Sequence, residues 1–160
     1  MSLTKGKKTE TDLIRLLETK NFTIIPASEE EDISEHWDFK ILLKDREYKV
    51  DVKGVKKINR YDAKPQENYH IVELQNVNGD PGWLYGDCDL FAFETFDYWI
   101  FVKRNRLAKF VEESTADEYV NNAMLCLGKK YSRDGRADIM TMVKTIDLMF
   151  LASTVVKKYD

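Results

Sequence analysis

Two short runs that alternate polar and apolar side chains place the strongest constraint on how this chain folds. Residues 47–54 (EYKVDVKG) predict a half-buried strand, because successive side chains of a strand point to opposite faces. Asp51 and Lys53 are two residues apart, so both project from one face of that strand. Residues 37–43 (WDFKILL) predict a second strand, separated from the first by a tight turn. We therefore predict a hairpin that brings Asp38 close to Asp51 and Lys53.

Two carboxylates and a lysine in one place have a chemical use. Mg²⁺ prefers oxygen ligands, often one or two carboxylates together with waters and phosphate. A bound metal can hold a water and a phosphate oxygen together, and a neighbouring lysine can orient the water or stabilise developing charge. The simpler interpretation is that Asp51 and Lys53 form an exposed ion pair on an edge strand. The residues alone leave both interpretations open.

The spacing of these residues resembles that of a known family. Asp38 is followed thirteen residues later by Asp51 and then by Lys53, in the pattern Asp-x-Lys at a strand end. This arrangement resembles the PD-(D/E)XK nuclease superfamily, which includes restriction endonucleases and Holliday-junction resolvases of archaea and phages. The usual proline before the first aspartate is absent, since His36 and Trp37 precede Asp38. The resemblance covers roughly residues 5–110, and residues 71–94 also resemble small phage-type members.

The resemblance implies a fold, an activity and a cofactor. The expected fold is α/β (α+β), a restriction-endonuclease-like mixed β-sheet flanked by helices, in a single domain over residues 1–160. Its core would span about 8–112, with C-terminal helices at about 115–152. The implied activity is that of an endonuclease that hydrolyses DNA phosphodiester bonds with Mg²⁺, for which Mn²⁺ can substitute. The resemblance also implies a homodimer that acts on branched DNA. The implied metal ligands are Asp38, Asp51 and the carbonyl of Val52, with Lys53 as a catalytic residue.

An acidic residue on the first predicted helix extends this site. Residues 8–20 predict a helix on which Glu10, Leu13 and Leu17 share one face. A carboxylate that points inward is costly unless a cation or hydrogen bonds satisfy it. We therefore predict Glu10 as a catalytic residue and metal ligand, and resolvase-like members of the superfamily also carry an acid on this helix. The alternative is that Glu10 lies in the first turn of the helix, where its charge favours the helix dipole.

Polar residues after the hairpin complete the predicted site. Glu73 and Gln75 share one face of a strand predicted over 69–75, and we predict a catalytic role for Gln75 with Glu73 behind it. The alternative is that this face is simply exposed. The basic residues that follow the motif strand are predicted to contact DNA phosphates, unless they are ordinary charges of a solvated loop; they are Lys56, Lys57 and Arg60.

Composition and charge narrow the class of protein. A chain of 160 residues is expected to form one domain, and no run of about 18 apolar residues predicts a membrane span. Cys88 and Cys126 match no metal-ligand spacing, which predicts free thiols in a reducing cytoplasm. The N-terminus lacks the apolar core of a secretory signal. The net charge of −3 counts mildly against nucleic-acid binding, although acidic and basic residues are segregated along the chain.

Hydrophobic periodicity predicts the remaining elements. The predicted strands are 22–25, 89–94 and 98–103, and a helix is predicted over 105–113. We predict an acidic loop over 27–36 and a second loop over 55–68. Thr115 and Asp134 are each predicted to begin a C-terminal helix, the first from a capping-box pattern and the second from apolar residues at helical spacing.

Two rival functions stay open at this stage. The first is a module that keeps the nuclease fold but has lost catalysis, and binds nucleic acid or another protein. The second is an ordinary α/β domain in which the Asp-x-Lys pattern is accidental. The complete set of acid, Asp and Lys favours activity over the inert module.

Overall fold

Two β-sheets and four α-helices make up the part of the chain that the computed structural model describes, residues 2–159. The helices are α1 (Ser2–Thr19), α2 (Glu29–Glu35), α3 (Arg104–Ser114) and α4 (Thr145–Leu151). The strands are β1 (Thr23–Pro26), β2 (Phe39–Leu43), β3 (Arg46–Lys53), β4 (Tyr69–Gln75), β5 (Leu90–Glu94), β6 (Tyr98–Lys103), β7 (Tyr119–Val120), β8 (Lys130–Ser132), β9 (Ile139–Lys144) and β10 (Thr154–Lys157). Short 3₁₀ turns span Trp83–Tyr85 and Ala123–Leu125.

The first sheet has six strands in the order β1-β2-β3-β5-β6-β10. Its neighbours are antiparallel except β3 and β5, which run parallel. The hairpin of β2 and β3 confirms the predicted pairing of these two runs. Lys44 and Asp45 form its turn with φ of 48° and 66°, the positive values of a type I′ turn, which matches the twist of the flanking strands.

Each face of this sheet buries a separate hydrophobic core. Leu13 and Leu17 of α1 pack on one face, against a cluster that includes Phe39 and Val50. On the other face, α3, α4 and the second sheet cover Phe91 and Phe93. Because side chains of a strand alternate, Leu90 and Ala92 of β5 enter the first core while Phe91 and Phe93 enter the second.

The second sheet has four strands in the order β4-β9-β8-β7. β4 and β9 are antiparallel with Tyr69 opposite Lys144, whereas the short β7 and β8 are parallel. His70 of β4 meets Phe93 of the first sheet edge to face, with ring centroids 5.1 Å apart. This contact places the second sheet beside the end of β3, where the Asp-x-Lys pattern lies.

The predicted acidic loop over 27–36 is wrong, because residues 29–35 form α2. The Ser28 hydroxyl accepts a hydrogen bond from the Glu31 N–H, and the Glu31 carboxylate accepts one from the Ser28 N–H. This capping box stabilises a short helix in a segment whose many acidic residues had suggested an exposed loop. His36 ends the helix with φ of 58°.

The two predicted C-terminal helices over about 115–152 are also wrong, except for α4. Thr115 closes α3 through its N–H to the Val111 carbonyl, and strands β7, β8 and β9 occupy most of residues 119–144. Ile146 and Phe150 of α4 are 61% and 78% exposed, so the apolar spacing that predicted the second helix does not mark a buried face there. The β-branched and apolar residues 139–143 fit a strand as well as a helix, and pairing with β4 decides between them.

Other elements agree closely with the sequence-based predictions. The strands at 22–25, 69–75, 89–94 and 98–103 and the helix at 105–113 are each present with shifts of one residue or so. Residues 55–68 form a loop, as predicted, with an isolated bridge between Lys56 and Gln66. Asn21 follows α1 with φ of 69°, a left-handed conformation that asparagine tolerates at the end of a helix. Within residues 2–159, the longest and most apolar helices fall short of what a membrane crossing requires. The fold is thus a single α+β domain with mixed sheets.

Candidate active site

Asp38 is held at the point where the hairpin of β2 and β3 opens. It immediately precedes β2, and its backbone N–H donates to the Val50 carbonyl at 2.8 Å. Its Oδ2 accepts a hydrogen bond from the Val52 N–H at 2.6 Å. A side-chain oxygen therefore serves a backbone donor of the neighbouring strand. This bond fixes the carboxyl group beside the motif strand.

Asp51 and Lys53 lie on the same face of β3, as predicted from their spacing. The Lys53 ammonium is 3.2 Å from Asp51 Oδ2, and it lies 4.1 Å from the centre of the Trp83 ring. Asp51 is 5% exposed, and its Oδ2 is a buried atom that no hydrogen bond of good geometry reaches. The ion pair alone therefore leaves this oxygen able to accept a further positively charged or hydrogen-bonding partner.

Burial and crowding of charge perturb both carboxyl groups. Burial, followed by the charge of Asp51, raises the pKa of Asp38 to about 9, although the Val52 hydrogen bond opposes this. Burial also raises the pKa of Asp51, and the ammonium of Lys53 opposes the shift. Without another cation, the pair favours a state in which Asp38 holds a proton. A bound divalent cation would lower the pKa of Asp38, because its positive charge stabilises the ionised carboxylate.

Glu10 belongs to the same electrostatic cluster. Burial raises the pKa of Glu10, and the charges of Asp32 and Asp51 add to the shift while Lys7 opposes it. Helix α1 begins at Ser2, so Glu10 lies two turns inside it. The alternative placement of Glu10 in the first turn of the helix is therefore wrong. The structure brings Glu10 into electrostatic range of the motif carboxylates, as the predicted site requires.

Trp83 is positioned over Lys53 by a close contact between the 3₁₀ turn and β4. The Trp83 N–H donates to the Glu73 carboxylate at 3.2 Å, and Gly82 approaches the Glu73 backbone. A Cβ on Gly82 would lie 2.5 Å from the Glu73 carbonyl oxygen, so only glycine fits there. Glu73 thus holds the tryptophan that packs on Lys53, which places Glu73 behind the cluster of Asp51 and Lys53.

A cleft of about 460 Å³ opens beside this cluster. Thr9 of α1, Lys53, Lys56 and Lys57 are among the residues that line it. Burial, followed by the charge of Lys53, lowers the pKa of Lys56, although its side chain is exposed along much of its length. Two predicted phosphate contacts, Lys56 and Lys57, therefore lie at the mouth of the cleft that borders the Asp-x-Lys pattern.

Two predicted site residues lie elsewhere. The Gln75 amide donates to the Ala137 carbonyl at 2.6 Å, which engages it between β4 and the segment before β9. The Arg60 guanidinium hydrogen-bonds the Tyr61 hydroxyl at 2.8 Å and lines a different groove. The structure gives neither residue a contact with the carboxylate cluster.

The structure adds residues to the site that sequence reasoning did not assign to it. Asp32 of α2 raises the pKa of both Glu10 and Asp38, and His36 lies near enough to lower that of Asp51. Trp83 also lies at the site, with its ring packed against Phe91 and Phe93 of the core. The pattern Ser-x-x-Glu that begins at Ser28 could have revealed α2, but no sequence signal placed that helix beside Asp38.

The donor set fits Mg²⁺ in a limited way. Among residues 2–159, no group of three or more His, Cys, Asp or Glu side chains is placed to hold a metal ion. Mg²⁺ is commonly bound by one or two carboxylates with water and phosphate completing its shell, so a pair is compatible. Asp51 Oδ2 is buried and held by an ion pair with Lys53 rather than by a hydrogen bond of good geometry, and the pKa of Asp38 is raised; both indicate a place that a further cation would stabilise.

Comparison with known proteins gives no relative on which to base a function. No protein-family model, curated protein or solved structure matches this chain. The functional argument therefore depends on the geometry and electrostatics of the site itself.

Proposed function

We propose that this chain is a Mg²⁺-dependent endonuclease that hydrolyses DNA phosphodiester bonds, with a restriction-endonuclease-like fold of the PD-(D/E)XK type. One observation carries the proposal. Asp38, Asp51 and Lys53, which come from two strands, meet at one end of a hairpin, next to a cleft whose mouth carries Lys56 and Lys57. A mixed sheet flanked by helices, with β3 parallel to β5, supports the finer fold assignment.

The metal would be held by the carboxylates of Asp38 and Asp51. Bound there, Mg²⁺ would supply a water of lowered pKa and neutralise charge on the phosphate. The hydrogen bond from Val52 to Asp38 fixes the direction of the first carboxylate, and the strand backbone fixes the second. Glu10 lies close enough to influence the charge of the site and is proposed to hold a metal-bound water, as the carbonyl of Val52 is proposed to add a further ligand.

Lys53 is proposed to act on the reacting phosphate. Its side chain is 19% exposed, and the Trp83 ring and Asp51 restrict where its ammonium lies. A lysine that is fixed before the reaction stabilises developing negative charge without the cost of reorganising. The ammonium would donate to a non-bridging phosphate oxygen or to the attacking water. Lys56 and Lys57 would position the substrate through neighbouring phosphates.

The test measures cleavage of supercoiled, linear duplex, single-stranded and four-way branched DNA by the purified chain with Mg²⁺ or Mn²⁺. Cleavage is expected to require the metal and to fall by about 10²-fold or more in Lys53→Ala, the scale seen when one preorganised charge stabiliser is lost. Lys49→Ala is the matched control, because Lys49 lies on the same strand and pairs with Glu35 at 3.4 Å. That variant should cleave as the wild type does.

Two results would contradict the proposal. Equal cleavage by Lys53→Ala and the wild type would remove Lys53 from the reaction. Absence of cleavage of every DNA by the wild type with either metal would favour the inert binding module. The homodimer and the preference for branched DNA stay predictions of the resemblance, and light scattering and the four-way junction test them.

A further inference from the structure

A second groove lies along the same chain segment as the candidate active site, and a small cavity of about 20 Å³ lies between the two. The cleft beside Lys53 shares Gly54 and Lys56 with this small cavity against β4, and that cavity shares Ile58 and Ile71 with a larger groove of about 620 Å³. The chain segment 53–61 forms one wall along this whole length. The larger groove lies on the second sheet and is bounded by segment 121–124 and by β8 and β9.

The chemistry of the groove suits a nucleic-acid strand. Its lining includes Tyr61, Tyr131 and three asparagines, together with Arg60 and Arg133, and no carboxylate among the residues that the structure describes. This is notable in a chain whose net charge is −3. Aromatic rings supply stacking platforms for bases of any sequence, amides can bond to base edges, and arginines contact phosphates.

The key side chains are held ready before any ligand binds. The Arg60 guanidinium lies 4.9 Å from the centre of the Tyr61 ring and bonds its hydroxyl, while 79% of Tyr61 is exposed. Arg133 is fixed by the buried carboxylate of Asp138, to which its Nε donates at 3.1 Å. An exposed aromatic ring that is held in place loses little conformational freedom when a base stacks on it.

We infer that this groove binds a single-stranded continuation of the nucleic acid that is cleaved at Asp38, Asp51 and Lys53, with a base stacked on Tyr61 and a phosphate on Arg60. The inference rests on the proposed function, since it names the path of the same substrate. It assigns Arg60 to a base-stacking groove on the second sheet, separate from the lysines at the cleft. Single-stranded DNA and single-stranded RNA share the chemistry that the groove recognises.

The experiment measures fluorescence anisotropy of labelled single-stranded oligothymidylate and oligouridylate with the full chain in EDTA, so that binding is separated from cleavage. Tyr61→Ala and Arg60→Ala are each expected to weaken binding by roughly fivefold or more, the lower end of what loss of one stacked base costs. Tyr61→Phe keeps the ring but loses the hydroxyl that Arg60 bonds, so it should weaken binding less than Tyr61→Ala does. The probe that binds more tightly identifies the substrate.

Matched controls come from exposed residues outside the groove. Tyr159→Ala removes a ring that is 71% exposed, and Arg106→Ala removes an exposed arginine of α3. Both should bind as the wild type does. Wild-type affinity in Tyr61→Ala and Arg60→Ala, or loss of affinity only in Arg106→Ala, would overturn the inference.

Failure of this inference can be told apart from failure of the proposed function. If the wild type cleaves DNA with Mg²⁺ but Tyr61→Ala and Arg60→Ala bind normally, the groove assignment is wrong and the nuclease stands. If both variants lose affinity while the wild type cleaves nothing, the groove assignment is correct and the protein is a nucleic-acid-binding module without nuclease activity. No binding by the wild type, or self-association that Met124→Asp abolishes, would also overturn it, since Met124 lines the groove and is 53% exposed.

Discussion

The two sheets each bury an aspartate that pairs with a basic residue, and the two pairs differ in their surroundings. Asp51, on β3 of the first sheet, is 5% exposed and pairs with Lys53, while Asp138, before β9 of the second sheet, is 2% exposed and pairs with Arg133. Burial raises the pKa of Asp51, and Asp38 and Glu10 lie within electrostatic range of it. Arg133 instead reaches one oxygen of Asp138, Oδ2, with two nitrogens, while Asp138 Oδ1 is buried without a hydrogen-bond partner among the described residues.

We propose that this difference separates a carboxylate used for structure from one used for chemistry. The Asp138 oxygen that accepts from two nitrogens of one guanidinium has a strong charged partner. A charge crowded by other carboxylates destabilises the folded chain until a cation arrives.

The largest effect is expected from replacing each aspartate by asparagine. Asp51→Asn should lower metal-dependent cleavage by about 10²-fold or more, yet leave the free energy of unfolding unchanged or higher, because a costly buried charge is lost. Asp138→Asn should do the opposite. It should lower the free energy of unfolding by about 1–3 kcal/mol, the value of a charged hydrogen bond, and keep cleavage. Urea unfolding and the cleavage assay measure both quantities, and the reversed pattern would contradict the distinction.

The second effect concerns metal affinity and pH. At neutral pH Asp38 holds a proton, since burial and Asp51 raise its pKa to about 9. Metal binding must displace that proton, so Mg²⁺ affinity should rise by up to about tenfold per pH unit from pH 7 toward 9. Calorimetry in buffers of different ionisation enthalpy would detect the released proton. Asp38→Asn should bind Mg²⁺ weakly, with an affinity that does not depend on pH. A wild-type Mg²⁺ affinity that does not change with pH would contradict the protonation of Asp38.

The third effect concerns His70, which lies between the two sheets. Burial, followed by the charge of Lys56, lowers the pKa of His70 to about 4, and its buried Nε2 has no hydrogen-bond partner among the described residues. Below about pH 6.5 the imidazole of His70 binds a proton in the unfolded chain but not in the folded chain. The free energy of unfolding should therefore be fully retained above pH 6.5 and fall by about 2–3 kcal/mol as the pH falls toward 4.

Urea unfolding across that pH range tests the prediction for His70. His70→Gln should flatten the slope between pH 6.5 and 4, because the titrating group is gone. His36→Asn is the control, since asparagine tolerates the positive φ of 58° at that position and the variant leaves His70 in place. An unchanged slope in His70→Gln would show that other groups cause the dependence.

The smallest effect on stability is expected at Glu10. Glu10→Gln should change the free energy of unfolding by less than about 0.5 kcal/mol, as for most exposed or half-exposed changes. Cleavage should nevertheless fall, because burial and nearby charge tie Glu10 to the site. Glu18→Gln, an exposed change on the same helix, should alter neither quantity. Equal cleavage by the two variants would exclude Glu10 from the site.

The sequence-based predictions succeeded where the residues that pair or pack are close together in the sequence. The hairpin of β2 and β3 was predicted because its two strands are adjacent in sequence. The proximity of Asp38 to Asp51 and Lys53 was predicted for the same reason. Glu10 was found because helical periodicity relates it to Leu13 and Leu17, which are buried.

The failures involve partners that are distant in sequence. β9 was predicted as a helix because its partner, β4, precedes it by many residues and no local pattern announces the pairing. The same pairing places Gln75 beside Ala137. Asp32 lies near the site because α2 folds back beside Asp38. The run of acidic residues in α2 did not predict that position.

The sequence by itself determined the hairpin, its turn and the common face of Asp51 and Lys53. Strand alternation and turn geometry act between near neighbours, so they require no knowledge of the remaining chain. Only the tertiary structure decided which groups surround that face. The depth to which Asp51 is buried, the tryptophan over Lys53 and the groove beside Tyr61 depend on the second sheet, whose strands pair over long loops. Burial and charge crowding are set by such distant contacts, and they decide the pKa of each carboxylate.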